Sequence, residues 1–231
     1  MKRLATSLML LALGVAPAFG ANAVRISQIY GGGGGGASTV TTWAQDYVEI
    51  FNNGNAAVNI GGWVIEYGSA AGNWGSSAGN IFTFPTGTTI QPCQYMLVAL
   101  GTASLNPAVP PVPAPDFSNS TTNMSATAGK VALFNAPNAN LACGSEIAGT
   151  LVDKVSYGTG NCPENTNVGA LTNTSGAARN NGGITDTDNN LSDFTIVANP
   201  VPRNSQSPRN PNCLVTPTRS STWGQVKSIY R

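Results

Sequence analysis

The sequence predicts an all-β chain folded as a two-sheet antiparallel β-sandwich with long loops, and three observations carry that prediction. Apolar and polar side chains alternate with period two in a series of short runs bounded by Gly, Asn and Pro clusters. No segment holds the 3.6-residue period for the length of a long helix. Hydrophobic residues make up 41% of the 231 residues, and Gly (27) with Pro (15) stays below the roughly 25–30% at which a chain reads as low-complexity, so a packed core is expected.

The elements follow in order. Val24–Tyr30 alternates over a full strand, and Tyr47–Phe51 does the same before the turn Asn52-Asn53-Gly54. Val58–Ile60 and Trp63–Tyr67 flank the Gly61-Gly62 kink, where a close backbone approach marks Trp63 as a core plug. Ile81–Phe84, Tyr95–Leu100, Lys130–Phe134 and Leu151–Tyr157 complete the series, and a further strand starts near Phe194. The Pro-rich stretch 103–120 and the Asn-, Gly- and Thr-rich stretch 158–190 read as loops of one domain spanning 24–200.

The N-terminus has the three parts of a secretory leader. A basic start at Lys2-Arg3 precedes an apolar run over 8–16 and the small residues Ala21-Asn22-Ala23, which places cleavage after Ala23, or after Gly20. That run is about half of the ~20 residues a membrane span needs. After cleavage no transmembrane anchor is expected, and the product is secreted, periplasmic or held at the cell surface.

Composition narrows the function classes. Only 9% of the residues are charged, against roughly 25% in an ordinary domain, and the formal net charge is +1. Histidine is absent, which excludes a Ser-His-Asp or Cys-His nucleophile pair, a His-ligated zinc and an imidazole base. Cys93, Cys143, Cys162 and Cys213 form an even set without a CxxC pair, as expected of disulfides in an exported chain. Of the three possible pairings, Cys143–Cys162 is favoured because the two flank the apolar run 151–157. Cys93–Cys213 then staples the C-terminal segment to the body.

The run Asp46-Tyr47-Val48-Glu49-Ile50-Phe51-Asn52-Asn53-Gly54 is followed by Val58-Asn59-Ile60-Gly61-Gly62-Trp63-Val64-Ile65. Phe84-Pro85-Thr86-Gly87-Thr88-Thr89-Ile90-Gln91-Pro92 and Gln94-Tyr95-Met96-Leu97-Val98 come next. This order resembles the lamin tail domain, in its secreted bacterial branch. The resemblance implies an immunoglobulin-like sandwich that acts as an interaction module. In exported bacterial proteins such modules are often joined to nucleases, phosphatases or other hydrolases. Where the family usually carries Gly after the Pro of its P-G-Q-Y turn, this chain has Cys93, which points to a disulfide of its own.

Candidate sites are few. The glycine run Gly31–Gly36 lacks the Lys and Ser/Thr of a P-loop and opens no helix, so it reads as a flexible loop. Asp46 and Glu49 read as turn-capping or solvent-facing groups of a strand. Asp186, Asp188, Asn190 and Asp193 have the oxygen spacing of an irregular Ca²⁺ site, without the Gly and Glu positions of an EF-hand. The commoner explanation of that cluster is a set of Asx turns leading into the strand near Phe194. The tail 201–231 carries Arg203, Arg209, Arg219, Lys227 and Arg231 and no acid. Within it, Trp223, Val226 and Tyr230 would share one face of a short helix with Lys227 and Arg231 beside them, a docking segment for a protein or an envelope or extracellular polymer. Five charges without an ordered groove would hold nucleic acid only weakly.

The reading that follows is an exported, non-catalytic binding, adhesion or envelope-structural module with no resident cofactor. The alternative is a calcium-dependent extracellular hydrolase, or an accessory subunit of a secreted nuclease or phosphatase, using Asp186, Asp188 and Asp193 with Glu49 or Asp153.

Overall fold

The computed structural model describes residues 23–213. The leader up to residue 22 and the docking residues Trp223, Val226, Lys227, Tyr230 and Arg231 lie outside the described residues. The strands are β1 (Val24–Tyr30), β2 (Asp46–Asn52), β3 (Val58–Asn59), β4 (Val64–Ser69), β5 (Ile81–Thr83), β6 (Thr89–Ile90), β7 (Tyr95–Leu100), β8 (Phe117–Asn119), β9 (Gly129–Phe134), β10 (Leu151–Tyr157), β11 (Ser175–Arg179) and β12 (Phe194–Ala198). A turn at α1 (Asn180–Gly183), with Asn181 and Gly182 in the left-handed region, and a single helical turn, α2 (Asn190–Asp193), separate β11 from β12.

One sheet has the order β12-β11-β1-β2-β7-β8, the other β10-β9-β4-β5, and β3 pairs with β6 in a short separate ladder. Pairing is antiparallel except between β7 and β8, which run parallel. The core lies between the sheets, where Ile26, Val48, Ile50, Val98 and Leu100 meet Ile65, Tyr67, Val131, Leu133, Val155 and Tyr157. Non-directional burial of such apolar surface is the main term holding the layers together.

Period-two strands normally bury one face and wet the other. Here every residue of β1, β2, β7 and β9 is buried, because loops cover the outer faces too. Over the six-stranded sheet, Val112 of the Pro-rich loop packs on Tyr30, Tyr47, Leu97 and Ala99. Beside them, Cys93 and Cys213 pack on Phe51 and Tyr95. Over the four-stranded sheet, Trp74 and Cys162 pack on Val64, Ala132 and Phe134. A disulfide anchors a covering segment on each side, Cys93–Cys213 on one and Cys143–Cys162 on the other, the pairing expected from the sequence.

Several local readings are corrected. The stretches read as loops contain β8 and β11, and β11 is a central strand between β1 and β12. Its Ser-Gly-Ala-Ala-Arg sequence has no β-branched or aromatic residue to announce it. Trp63 is only partly buried against the core, whereas Trp74 is the fully buried indole. The first half of the glycine run is close-packed: a Cβ at Gly32 would sit 2.5 Å from the Asn173 carbonyl oxygen, and one at Gly33 only 2.1 Å from the Gln45 carbonyl carbon. Glycine is there because backbone crosses backbone.

Candidate functional site

The acidic residues are largely absorbed by the fold. Asp46, Glu49, Glu66, Asp153 and Asp193, half of the ten carboxylates in the sequence, are buried. Each accepts backbone N–H groups that no ladder satisfies. Asp46 accepts from Gly33 at 2.8 Å and Met124 at 2.6 Å, tying two loops to the start of β2. Glu66 accepts from the Asn138 amide, and Asp193 from the amides of Thr187 and Asn189. Partly buried Asp116 accepts from Leu97 and Ser205. An unpaired buried N–H costs about 1–3 kcal/mol, which is why acids placed opposite such groups are retained.

The densest network surrounds Arg179 at the end of β11. The β11 ladder pairs with β1 at Gln28 and Ile29, which leaves Ile26 outside it, and β1 also shifts register against β2 between Ile26 and Gln28. Its N–H donates to Asp153 Oδ2 at 2.6 Å, and its carbonyl accepts from Arg179 Nε at 2.8 Å. Arg179 closes the loop by donating from Nη2 to both oxygens of Asp153, at 2.9 and 2.7 Å. The same guanidinium reaches Asp186 at 3.2 Å and Asp193 at 3.7 Å, and Arg25 lies 3.4 Å from Asp186. Burial acts to lower Arg179, but Asp153, Asp186 and Glu164 outweigh it and hold its pKa above the ordinary value. Glu164, at the rim, is pushed up to about 8, by burial first and then by Asp153.

The four residues with calcium-like spacing separate in this network. Asp186 pairs with the two arginines and Asp193 caps the Thr187–Asn189 turn. Asn190 Oδ1 accepts from Ser156 and Glu164, and its Nδ2 donates to the Lys154 carbonyl and to Glu164, so the side chain completes the edge of β10. Asp188 is exposed. Among the described residues, the carboxylates whose oxygens all lie within 4.8 Å of one another are Asp153, Glu164 and Asp186, a set with Arg179 bound to two of its members. Cys143 and Cys162 lie near Glu146 in the same sense, but as a disulfide they offer no thiolate.

A second network, around Glu49, lies beside a cavity. Glu49 is fully buried, not solvent-facing as its strand phase suggested. It accepts from Ser27 Oγ at 2.6 Å, from the Arg203 amide at 2.6 Å and from Arg203 Nη2 at 2.7 Å. The Arg203 guanidinium lies 3.7 Å over the Tyr95 ring and donates from Nη1 to Tyr95 Oη at 2.7 Å. The Tyr95 hydroxyl in turn donates to the Gly182 carbonyl. Burial acts to lower Arg203, but Glu49 holds its pKa above the ordinary value. Arg203 thus belongs to the body, and the chain stays on the body as far as Cys213, where the disulfide to Cys93 holds it.

Between this segment and the sheet lies a cavity of about 450 Å³ lined by Tyr95, Asn181, Gly182, Arg203, Arg209 and Asn212, with Pro208, Asn210 and Pro211. Asn210 fixes its wall by donating from Nδ2 to the carbonyls of Asn181 and Gly182. Gly182 has φ +66°, and a Cβ there would meet Asn210 Nδ2 at 2.7 Å, so glycine is needed both for the turn and for the contact. The sequence marked Arg203 and Arg209 only as tail charges. A missed signal was the Asn-Asn-Gly-Gly run at 180–183, a strong turn sequence facing the stapled segment.

The fold has relatives. A DUF4876 family protein from Bacteroides thetaiotaomicron VPI-5482 superposes with a TM-score of 0.51 and 14% identity, covering 76% of this chain and 71% of that one, a likeness of fold. No curated protein matches the sequence. The Lamin Tail Domain family matches residues 17–159, more than half of the sequence, and the chain belongs to that family.

Proposed function

We propose that the protein is an exported, non-catalytic binding module that contacts an extracellular or envelope polymer, or a protein partner, through its loop-covered faces. One observation carries the reading: the cavity under the Cys93–Cys213 staple is lined by guanidinium, amide and proline groups and the Tyr95 phenol, with no carboxylate, thiol or serine among the described residues of its wall. Such a lining can hold a ligand, and the one hydroxyl in it, that of Tyr95, is already engaged by the Arg203 guanidinium and the Gly182 carbonyl. The family is a non-catalytic domain type, in line with this. Two disulfides indicate an oxidising compartment, and no helix among the described residues is long and apolar enough to cross a membrane. The leader pattern supports export.

The test is capture by the immobilised chain lacking residues 1–23, with both disulfides intact. Anionic and neutral polysaccharides, DNA and envelope fractions are offered with and without Ca²⁺. Saturable capture of one class is expected, with no change in the captured material over time. Turnover of any offered polymer by the purified chain would refute the non-catalytic reading, and capture that needs Ca²⁺ would return Asp186, Asp188, Asn190 and Asp193 to consideration.

A further inference from the structure

We propose that the cavity beneath the Cys93–Cys213 staple receives an acidic sugar unit, a saccharide carrying a carboxylate or phosphate group; this rests on the binding-module reading above. The anion is indicated by the two arginines. Arg209 is exposed and makes no hydrogen bond or ion pair among the described residues. Arg203 has five N–H donors, of which Nε, one on Nη1 and one on Nη2 are engaged with Glu49 and Tyr95. One donor on each Nη is left over. Since Glu49 neutralises Arg203 and no acid lines the wall, the charge the cavity presents is that of Arg209.

The rest of the lining suits a sugar better than a bare ion or a nucleobase. Asn181 Oδ1 and both polar atoms of the Asn212 side chain have no partner among the described residues, which leaves amide donors and acceptors for hydroxyls. Pro208 and Pro211 present C–H surface, which a pyranose face can cover. A volume of about 450 Å³ falls within the range of small-molecule sites and exceeds what an inorganic anion fills. Base recognition would need an open aromatic face. Tyr95 is 2% exposed and its ring carries the Arg203 guanidinium, so no stacking platform exists there. The disulfide and the Asn210 clamps hold the wall before any ligand arrives, which lowers the ordering cost of binding.

The experiment is calorimetric titration of the oxidised chain lacking residues 1–23 with a uronic acid oligosaccharide, a hexose phosphate, a neutral oligosaccharide and inorganic phosphate. Binding of one of the two acidic sugars is expected, weakened by salt, and which one binds identifies the anion. R209Q should cost about tenfold in affinity, the scale of one charge-assisted hydrogen bond, and N212A a smaller factor, with unfolding midpoints unchanged. Equal binding of the neutral oligosaccharide, an R209Q variant as good as the parent, or inorganic phosphate binding as tightly as either sugar would overturn the assignment. If the parent captures a polymer and R209Q captures it equally well, the binding module stands and this site falls. A parent that captures nothing removes both.

Discussion

Cys93 has φ +58°, in the left-handed region that costs an L-residue about 1–2 kcal/mol relative to glycine. The Cys93–Cys213 bond, with a sequence separation of 120, offsets that strain by closing a long loop, for a chain-entropy gain of about 5 kcal/mol. The shorter Cys143–Cys162 loop lies inside it and trims the gain by only a few tenths of a kcal/mol, roughly. Two double variants separate the contributions. C93S/C213S loses the cross-link and keeps the strain. C93G/C213S loses the cross-link and relieves the strain, at the cost of a floppier unfolded chain. The glycine variant should therefore be the more stable of the two by about 1 kcal/mol, with both several kcal/mol below the parent. Equilibrium urea unfolding with matched m-values reads this directly. If the serine variant equals or exceeds the glycine variant, residue 93 is not held in a strained turn, and the disulfide is not what makes cysteine tolerable there.

Three further outcomes follow from the same structure. G33A should unfold or lose several kcal/mol, since its Cβ would overlap the Gln45 backbone, whereas G36A, with nothing within 4 Å of its Cβ, should stay within about 0.5 kcal/mol of the parent by thermal or urea unfolding. Because Glu49 is fully buried while Arg203 is partly exposed, R203M should cost up to about 3 kcal/mol, and adding E49Q should recover part of it; equal losses in the single and double variants would refute the pairing. Stability should also fall as pH rises. Asp46, pushed up to about 7 by burial, and Glu164, pushed up to about 8, keep their protons in the folded state after the unfolded chain has released them near pH 4. The folded state then binds more protons, so unfolding free energy declines from about pH 4 and levels off above pH 8. E164Q should flatten the upper part of that decline in urea titrations at pH 5, 7 and 9; an unchanged slope would show that Glu164 is already ionised.

The sandwich itself was legible, and the reason is local. Strands such as β2, β7 and β9 carry apolar side chains at alternating positions that face the core between the sheets, and their turns carry Gly, Asn and Pro. The disulfide pairing was legible because Cys143 and Cys162 flank the apolar run 151–157, which left Cys93 to staple the C-terminal segment through Cys213. The outer faces were not legible. A period-two pattern assigns Glu49 to water, and nothing in its own strand says that the segment 203–213 will return to cover it. β11 was hidden for a different reason: small residues are selected where Gly176 lies against the Ile29 carbonyl and Pro200, and small residues carry little strand signal. The cavity combined both difficulties, since its arginines looked like tail charges and its turn lay inside a stretch read as loop.

The alternative of a calcium-dependent hydrolase rests on Asp186, Asp188 and Asp193 with Glu49 or Asp153, and the fold gives most of these acids structural partners. An Asp or Glu beside a strand looks the same in sequence whether it activates water or binds a stray amide. What separates the two is the number of backbone groups the fold leaves unpaired. A sandwich with short strands, a register shift at Ile26 and long crossing loops leaves many, and a carboxylate can answer two or more of them at once, as Asp46 and Asp193 do. Buried charge must then be matched, and Arg179 and Arg203 match it from the elements that follow. Once those needs are met, Arg209 is an arginine of the described body without a hydrogen bond or ion pair, and it lies on the wall of a cavity whose shape a disulfide maintains. The proposed recognition is accordingly to be sought at the staple, where Arg209 is left over, rather than at Asp186 and Asp193, which the fold has engaged.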